Sequence, residues 1–291
     1  MKLYRDFTSQ EEIDHQYDVA TLEPDVLRSY QELFSTGSEQ VRRELDCVLN
    51  VRVGPTVDET VDVFPAQQPG APILVFIHGG YWYLLSSKEF NLAARGPSAH
   101  GVTVVVTNYS LCPKVTIAEI TRQNRAVIAW LAREARAFNG DPERIFVCGH
   151  SAGGQQVGML VATDWPGEYG LPQTIIKGGI PVSGLFDLSP FRYSWLQPKL
   201  LLTHELILQQ SPLFQIPSAG PPLLVSVGET EPAEFHRQAA DYLAAWRAKG
   251  LRGELLTQAG KNHFTAIEGL TEANSPFCQA LIEFMTQCEK A

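Results

Sequence analysis

With 291 residues, 44% of them apolar and 19% charged, the chain can bury a large core and has the make-up of a soluble globular protein, which excludes a disordered one. The formal charge of −9 comes without any basic cluster able to track a phosphate backbone, so nucleic acid and anionic membrane surfaces are excluded as partners. Five cysteines without a CxxC spacing and seven dispersed histidines without an HExxH pair argue against a disulfide framework or a metal centre, which leaves side-chain chemistry on a small-molecule substrate with no cofactor.

Residues 1–40 read as a helical arm. Their opening stretch, MKLYRDFTSQEEIDHQYD, lacks a signal-peptide core, and no later segment approaches the length of apolar chain that crosses a bilayer, so a cytoplasmic location is expected. Val41–Val53 and Glu59–Phe64 are expected to add antiparallel strands at one sheet edge. From about residue 70 onward, short apolar runs alternate with helical patterns. Ile73–Ile77, Val102–Thr107, Ile145–Cys148, Ile175–Val182 and Leu223–Val227 are nearly continuous apolar runs, as strands buried on both faces should be, and Glu254–Thr257 is a weaker sixth. Ile117–Phe138 repeats apolar residues at helical spacing and meets a stop at Asn139-Gly140. Ala152–Thr163, Glu234–Lys249 and Ser275–Glu289 read as further helices. The expected architecture is α/β: a mostly parallel sheet with helices on both faces, residues 1–291 forming one domain. Leu185–Pro217 breaks the alternation with prolines and aromatics, and so long a connection predicts a small cap over a pocket, the alternative being a surface insertion. A homodimer is compatible with the sequence, which does not decide the oligomeric state.

Gly149-His150-Ser151-Ala152-Gly153 matches GxSxG and lies between the run IFVC and a helix. The string alone is common. In this setting the strand must turn sharply into the helix, which projects Ser151 as an exposed nucleophile and brings the Ala152 N–H and the positive helix end beside it. The plainer reading is a Ser/Gly helix cap. His78-Gly79-Gly80-Tyr81-Trp82 directly follows the run ILVFI, and its paired glycines let backbone N–H groups converge. Gly79, Gly80 or Tyr81 is therefore expected to complete an oxyanion hole with Ala152, while His78 fixes the loop. Taken alone this would be an ordinary glycine turn; followed by a nucleophile elbow it is a much rarer coincidence.

A serine–acid–histidine chain order then narrows the remaining search. His263, in Lys261-Asn262-His263-Phe264 after the last strand candidate, is the expected general base. Glu231 in GETEPAE is the first choice for its acid partner, with Glu229 and Glu234 as local rivals and Asp187 as a remoter one that more naturally ties down the cap.

HGGYW, NYSLCP, GHSAGG with ATDW after it, SGLFDL, VGETEPAEFHRQ and NHF, occurring in this order, resemble the arylformamidases, also called kynurenine formamidases, of the α/β-hydrolase superfamily near the hormone-sensitive-lipase-like esterases. The early QYDVATLEPD is similar to the N-terminal arm of that family. The resemblance implies an α/β-hydrolase fold and puts the family's acid on Glu231, where many members carry aspartate. Tyr81 stands where esterases usually have a third glycine and leans toward the formamidase branch. What the resemblance implies is hydrolysis of N-formyl-L-kynurenine to L-kynurenine and formate through an acyl-enzyme on Ser151, a step of tryptophan catabolism. A small-acyl carboxylesterase, or a hydrolase of other N-formyl or carbamoyl compounds, is the alternative; a non-catalytic binding protein on the same fold is more remote, since all three triad members are present. Trp82, Phe186, Trp195 and Phe264 are the expected pocket walls, ordinary core packing being the competing reading for each, and Arg192 and Lys199 are the candidates for a substrate carboxylate.

Overall fold

The computed structural model describes residues 2–290. Its sheet contains β1 (Val48–Arg52), β2 (Thr60–Phe64), β3 (Ala71–Ile77), β4 (Thr103–Thr107), β5 (Gly140–His150), β6 (Ile176–Val182), β7 (Leu223–Gly228) and β8 (Gly253–Gln258). They lie in the order β1-β2-β4-β3-β5-β6-β7-β8. β2 runs antiparallel to both β1 and β4, and the remaining neighbours are parallel. The central strands are apolar throughout because both faces are covered: Ile73, Leu74, Val104, Val105, Phe146, Val147 and Val225 have no exposed surface. Each apolar run from residue 73 onward therefore appears as a strand within a few residues of its expected bounds.

Around the sheet lie α1 (Gln10–Tyr17), α2 (Val19–Leu22), α3 (Pro24–Glu44), α4 (Ile117–Glu134), α5 (Ala152–Val161), α6 (Ala233–Ala248) and α7 (Pro276–Glu289). Thr116 starts α4 by accepting the Glu119 N–H at 3.3 Å, and after a short 3-10 turn the chain reverses at Asn139, whose φ of +61° makes it the expected stop. α5 packs against β5 and β6, and α6 against β7 and β8.

One expected boundary is wrong. Val41 belongs to α3, and the edge strand starts only at Val48. Tyr30, Phe34 and Val41 recur at helical spacing and all face inward, so this stripe continues the arm to Glu44 instead of starting a strand. Burial of side chains this size stabilises by about 1.5–3 kcal/mol each, which fastens the arm to the body. Segment 185–217 folds into short turns and helices, including Gln197–Leu200 and His204–Gln210. Tyr4 Oη–H donates to Asp187 at 2.6 Å and the Trp195 N–H to Asp14 at 3.1 Å, so this segment is stitched to the arm.

Candidate active site

At the end of β5 the chain enters α5 through Ser151, which has φ +56° and ψ −115°. A side chain in this region costs about 1–3 kcal/mol, and the strain is held by the Ser151 N–H, which donates to the Val182 carbonyl at 2.9 Å. The neighbours must be glycine. A Cβ on Gly153 would lie 2.7 Å from the His78 oxygen, and one on Gly149 would lie 2.6 Å from the Gly153 carbonyl carbon.

Against this turn lies the loop after β3. A Cβ on Gly79 would lie 3.2 Å from the Ser151 Cβ, and Gly80, Tyr81 and Trp82 follow with φ of +106°, +52° and +62°. Three left-handed residues in a row coil the backbone so that the Gly80 carbonyl accepts from both Tyr83 and Leu84, at 3.1 and 2.9 Å. Among the described residues, the N–H groups of Gly79, Gly80, Tyr81 and Ala152 donate to no protein acceptor. His78 fixes the loop from below: its Nδ1–H donates to the Gly79 oxygen at 2.7 Å, Tyr109 donates to its carbonyl at 2.8 Å, and the two rings stack at 4.1 Å. Burial lowers its pKa to about 4, so it is neutral near pH 7.

His263 Nδ1–H donates to Glu231 Oε2 at 2.8 Å. The other oxygen, Oε1, accepts from the Ser183 hydroxyl at 2.5 Å and from the Gly228 N–H at 2.7 Å. Three donors thus aim a carboxylate that has no exposed side-chain surface. Val182, which receives the Ser151 N–H, directly precedes Ser183, so the end of β6 braces both the serine and the acid. The rivals are occupied elsewhere. Glu229 is exposed and accepts from the Gly260 N–H at 2.7 Å, while Glu234 accepts from Tyr17 Oη–H and pairs with Arg237, both at 2.8 Å.

The alpha/beta hydrolase fold family model matches residues 74–266, about two thirds of the chain. This chain belongs to the alpha/beta-hydrolase family. Over nearly its whole length the hydrolase is similar to the kynurenine formamidase of Danio rerio, 28% identical over 289 residues covering 95% of this chain and 97% of that one. It is likewise similar to the kynurenine formamidase of Salmo salar, 30% identical over 269 residues covering 90% of each. Among solved structures, a thioesterase candidate from Silicibacter sp. superposes with a TM-score of 0.77 at 27% identity, covering 88% of this chain and 93% of that one. The hydrolase is therefore an enzyme of the serine esterase and formamidase kind.

Ser151 and His263 open into one cavity of about 180 Å³. Its floor is Gly79, Gly80, Tyr81 and His150, Phe264 forms one wall, and Val19, Ala20, Leu27, Tyr30 and Gln31 form the roof. The roof of the hydrolase is thus the N-terminal arm. No residue of segment 185–217 lines this cavity, where a cap was expected; that segment is bonded to the arm at Tyr4 and Asp14. Of the four expected walls only Phe264 is in place. Trp82 is fully buried and donates to Gln155 at 2.9 Å, Phe186 stacks on Tyr242 at 4.1 Å, and Trp195 stands behind Tyr81 with its ring edge-on at 5.4 Å. Arg192 and Lys199 are exposed and also outside the lining.

Residues that sequence reasoning passed over complete the frame. His150 Nε2–H donates to the His263 carbonyl at 2.8 Å, and burial, with the neighbouring His263 ring, holds its pKa well below the usual histidine range. Tyr81 Oη–H donates to the Tyr17 carbonyl at 2.7 Å, and Asn262 donates to Glu23. The arm therefore touches the Gly79–Tyr81 loop and the loop carrying His263. Ser183, His150 and Tyr17 all sit inside motifs visible in the sequence, SGLFDL, GHSAGG and QYDVATLEPD, but nothing local shows what they touch. No helix among the described residues is long and apolar enough to cross a membrane.

Proposed function

We propose that this hydrolase cleaves an aryl formamide, N-formyl-L-kynurenine in particular, releasing L-kynurenine and formate. Ser151 Oγ attacks the formyl carbon while its proton passes to His263 Nε2. Glu231 holds the imidazole by Nδ1–H and stabilises the imidazolium that forms. The tetrahedral oxyanion is received by the N–H groups of Ala152 and the Gly79–Tyr81 loop at the positive end of α5. His263 then protonates the aniline nitrogen as the C–N bond breaks, leaving Ser151 formylated. Water, deprotonated by His263, attacks the formyl ester, and formate leaves as Ser151 regains its proton.

The observation that carries the choice of a formamide is the similarity to kynurenine formamidases along about nine tenths of both chains. The cavity supports it: at about 180 Å³, with Leu27, Tyr30, Phe90 and Phe264 on its walls, it suits a small acyl group and one aromatic ring. Small-acyl ester hydrolysis at the same site is the second reading, favoured by the thioesterase-like neighbour. The deciding experiment measures kcat/KM for N-formyl-L-kynurenine and for p-nitrophenyl acetate on one preparation. Preference for the acetate by about tenfold or more refutes the formamidase reading. Loss of turnover in Ser151→Ala, together with loss of labelling by a fluorophosphonate, is expected under either; retention of full activity would refute both.

A further inference from the structure

Beside the cavity over Ser151 lies a second hollow of about 430 Å³. Tyr30, Gln31, Leu85 and Phe90 border both. Tyr30 and Phe90 are buried and form the partition, whereas Gln31 is exposed and Leu85 half-buried, so the two hollows meet at the surface across these two side chains.

The inner cavity has no lysine or arginine on its walls. Its volume of about 180 Å³ falls below the roughly 300–1,000 Å³ of pockets that enclose a drug-sized ligand. With a formyl carbon at Ser151, an aromatic ring fills it. An ionised chain on that ring finds neither room nor a partner there, and of the two hollows that adjoin the cavity, the one beyond Val19 and His263 holds Glu23 and Glu231 but no lysine or arginine, which leaves the way over the Gln31–Leu85 rim for a carboxylate. On the far side of the rim stand Arg28 and Glu32, one turn apart on the same face of α3. Arg28 is only loosely engaged, its guanidinium 3.7 Å from the exposed Asp25 carboxylate, a kind of pair worth about 0–1 kcal/mol. Glu89, the other carboxylate of the hollow, is committed to the Ser86 N–H at 2.8 Å and the Ser86 hydroxyl at 2.7 Å.

We infer that the second hollow is a subsite for an amino-acid tail on the leaving group, Arg28 pairing with its α-carboxylate and Glu32 facing its α-ammonium. This rests on the aryl-formamide reading of Ser151 and sharpens it: the enzyme selects aromatic amines that carry a zwitterionic chain, and neutral formanilides lack the contacts to Arg28 and Glu32.

The test compares N-formyl-L-kynurenine with 2-formamidoacetophenone, which has the same formanilide and ketone but no amino-acid group. In Arg28→Gln, KM for the first rises about fivefold with kcat unchanged, the upper end for an exposed ion pair, while both constants for the second stay within about twofold of wild type. Arg28→Lys recovers most of the loss, and the difference shrinks in about 0.5 M salt. The side chain is exposed, so folding is undisturbed. Equal effects on both compounds, or none on either, overturn the subsite. The matching pair in which an acetoxy group replaces the formamido group separates the two claims. If the formamides are poor substrates but Arg28→Gln weakens only the ester bearing the amino acid, the formamidase reading fails and the subsite stands. Discrimination on neither pair removes the subsite whichever bond is cleaved.

Discussion

Tyr81→Phe removes one hydroxyl and nothing else. The ring keeps its edge contact with Trp195, 5.4 Å between centroids, and phenylalanine is no more strained than tyrosine at a φ of +52°. What is lost is the 2.7 Å bond to the Tyr17 carbonyl, at the junction of α1 and α2 just before the roof residues Val19 and Ala20. A buried carbonyl left unpaired costs about 1–3 kcal/mol. At about 2 kcal/mol the population of molecules with this part of the arm undocked rises roughly thirtyfold. The sheet, which does not depend on the bond, is unaffected. Hydrogen exchange reads this directly: amides of residues 17–31 should exchange up to about thirtyfold faster in the variant, with those of β3, β5 and β6 unchanged. The roof opens with the arm, so KM rises and kcat falls less. Exchange in 17–31 within about twofold of wild type would refute the reasoning, because it would mean that Glu23–Asn262 and Tyr17–Glu234 hold the arm without Tyr81.

Glu231→Gln should lower kcat by about four orders of magnitude, since it leaves His263 without an anionic partner, while Glu229→Gln should change it less than about twofold; equal losses would remove Glu231 from its role. His78 brings an acid dependence of stability. Its pKa is near 6.5 in the unfolded chain and about 4 when folded, so between these values the unfolded state binds the proton and the native state does not. Stability therefore falls as pH drops from 6.5 to 4, by up to about 3 kcal/mol from this residue, and urea titrations of His78→Gln should show a shallower slope in that window. An unchanged slope would show that the folded protein does take up this proton.

Much of the frame could be read without coordinates because it is local. A strand buried on both faces must be an apolar run, and β3 to β7 are such runs. The turn at Ser151 demands small residues on both sides, and Gly149 and Gly153 announce it. The acid was harder. Glu229 and Glu231 are two residues apart with the same chemistry, and the turn after β7 decides between them. There the Glu231 N–H bonds back to the Gly228 carbonyl at 3.3 Å, which turns its side chain inward under Ser183 while Glu229 points to Gly260. The segment 185–217 is a related case: a long irregular segment looks like a lid, but whether it lines the serine's cavity depends on what holds it.

By itself, then, the sequence determined the alternation of strands and helices, the sharp turn at Ser151 and the glycine loop at Gly79–Gly80, since each rests on backbone geometry within a few residues. Tertiary structure alone decided that the arm roofs the site, that Trp82, Phe186 and Trp195 pack away from it, and that His150 and Ser183 brace His263 and Glu231. These contacts join residues 48 to 113 positions apart in the pairs Ser183–Glu231 and His150–His263. A hydrophobic stripe such as Tyr30, Phe34 and Val41 records that a face is buried, but leaves no trace of which surface it is buried against.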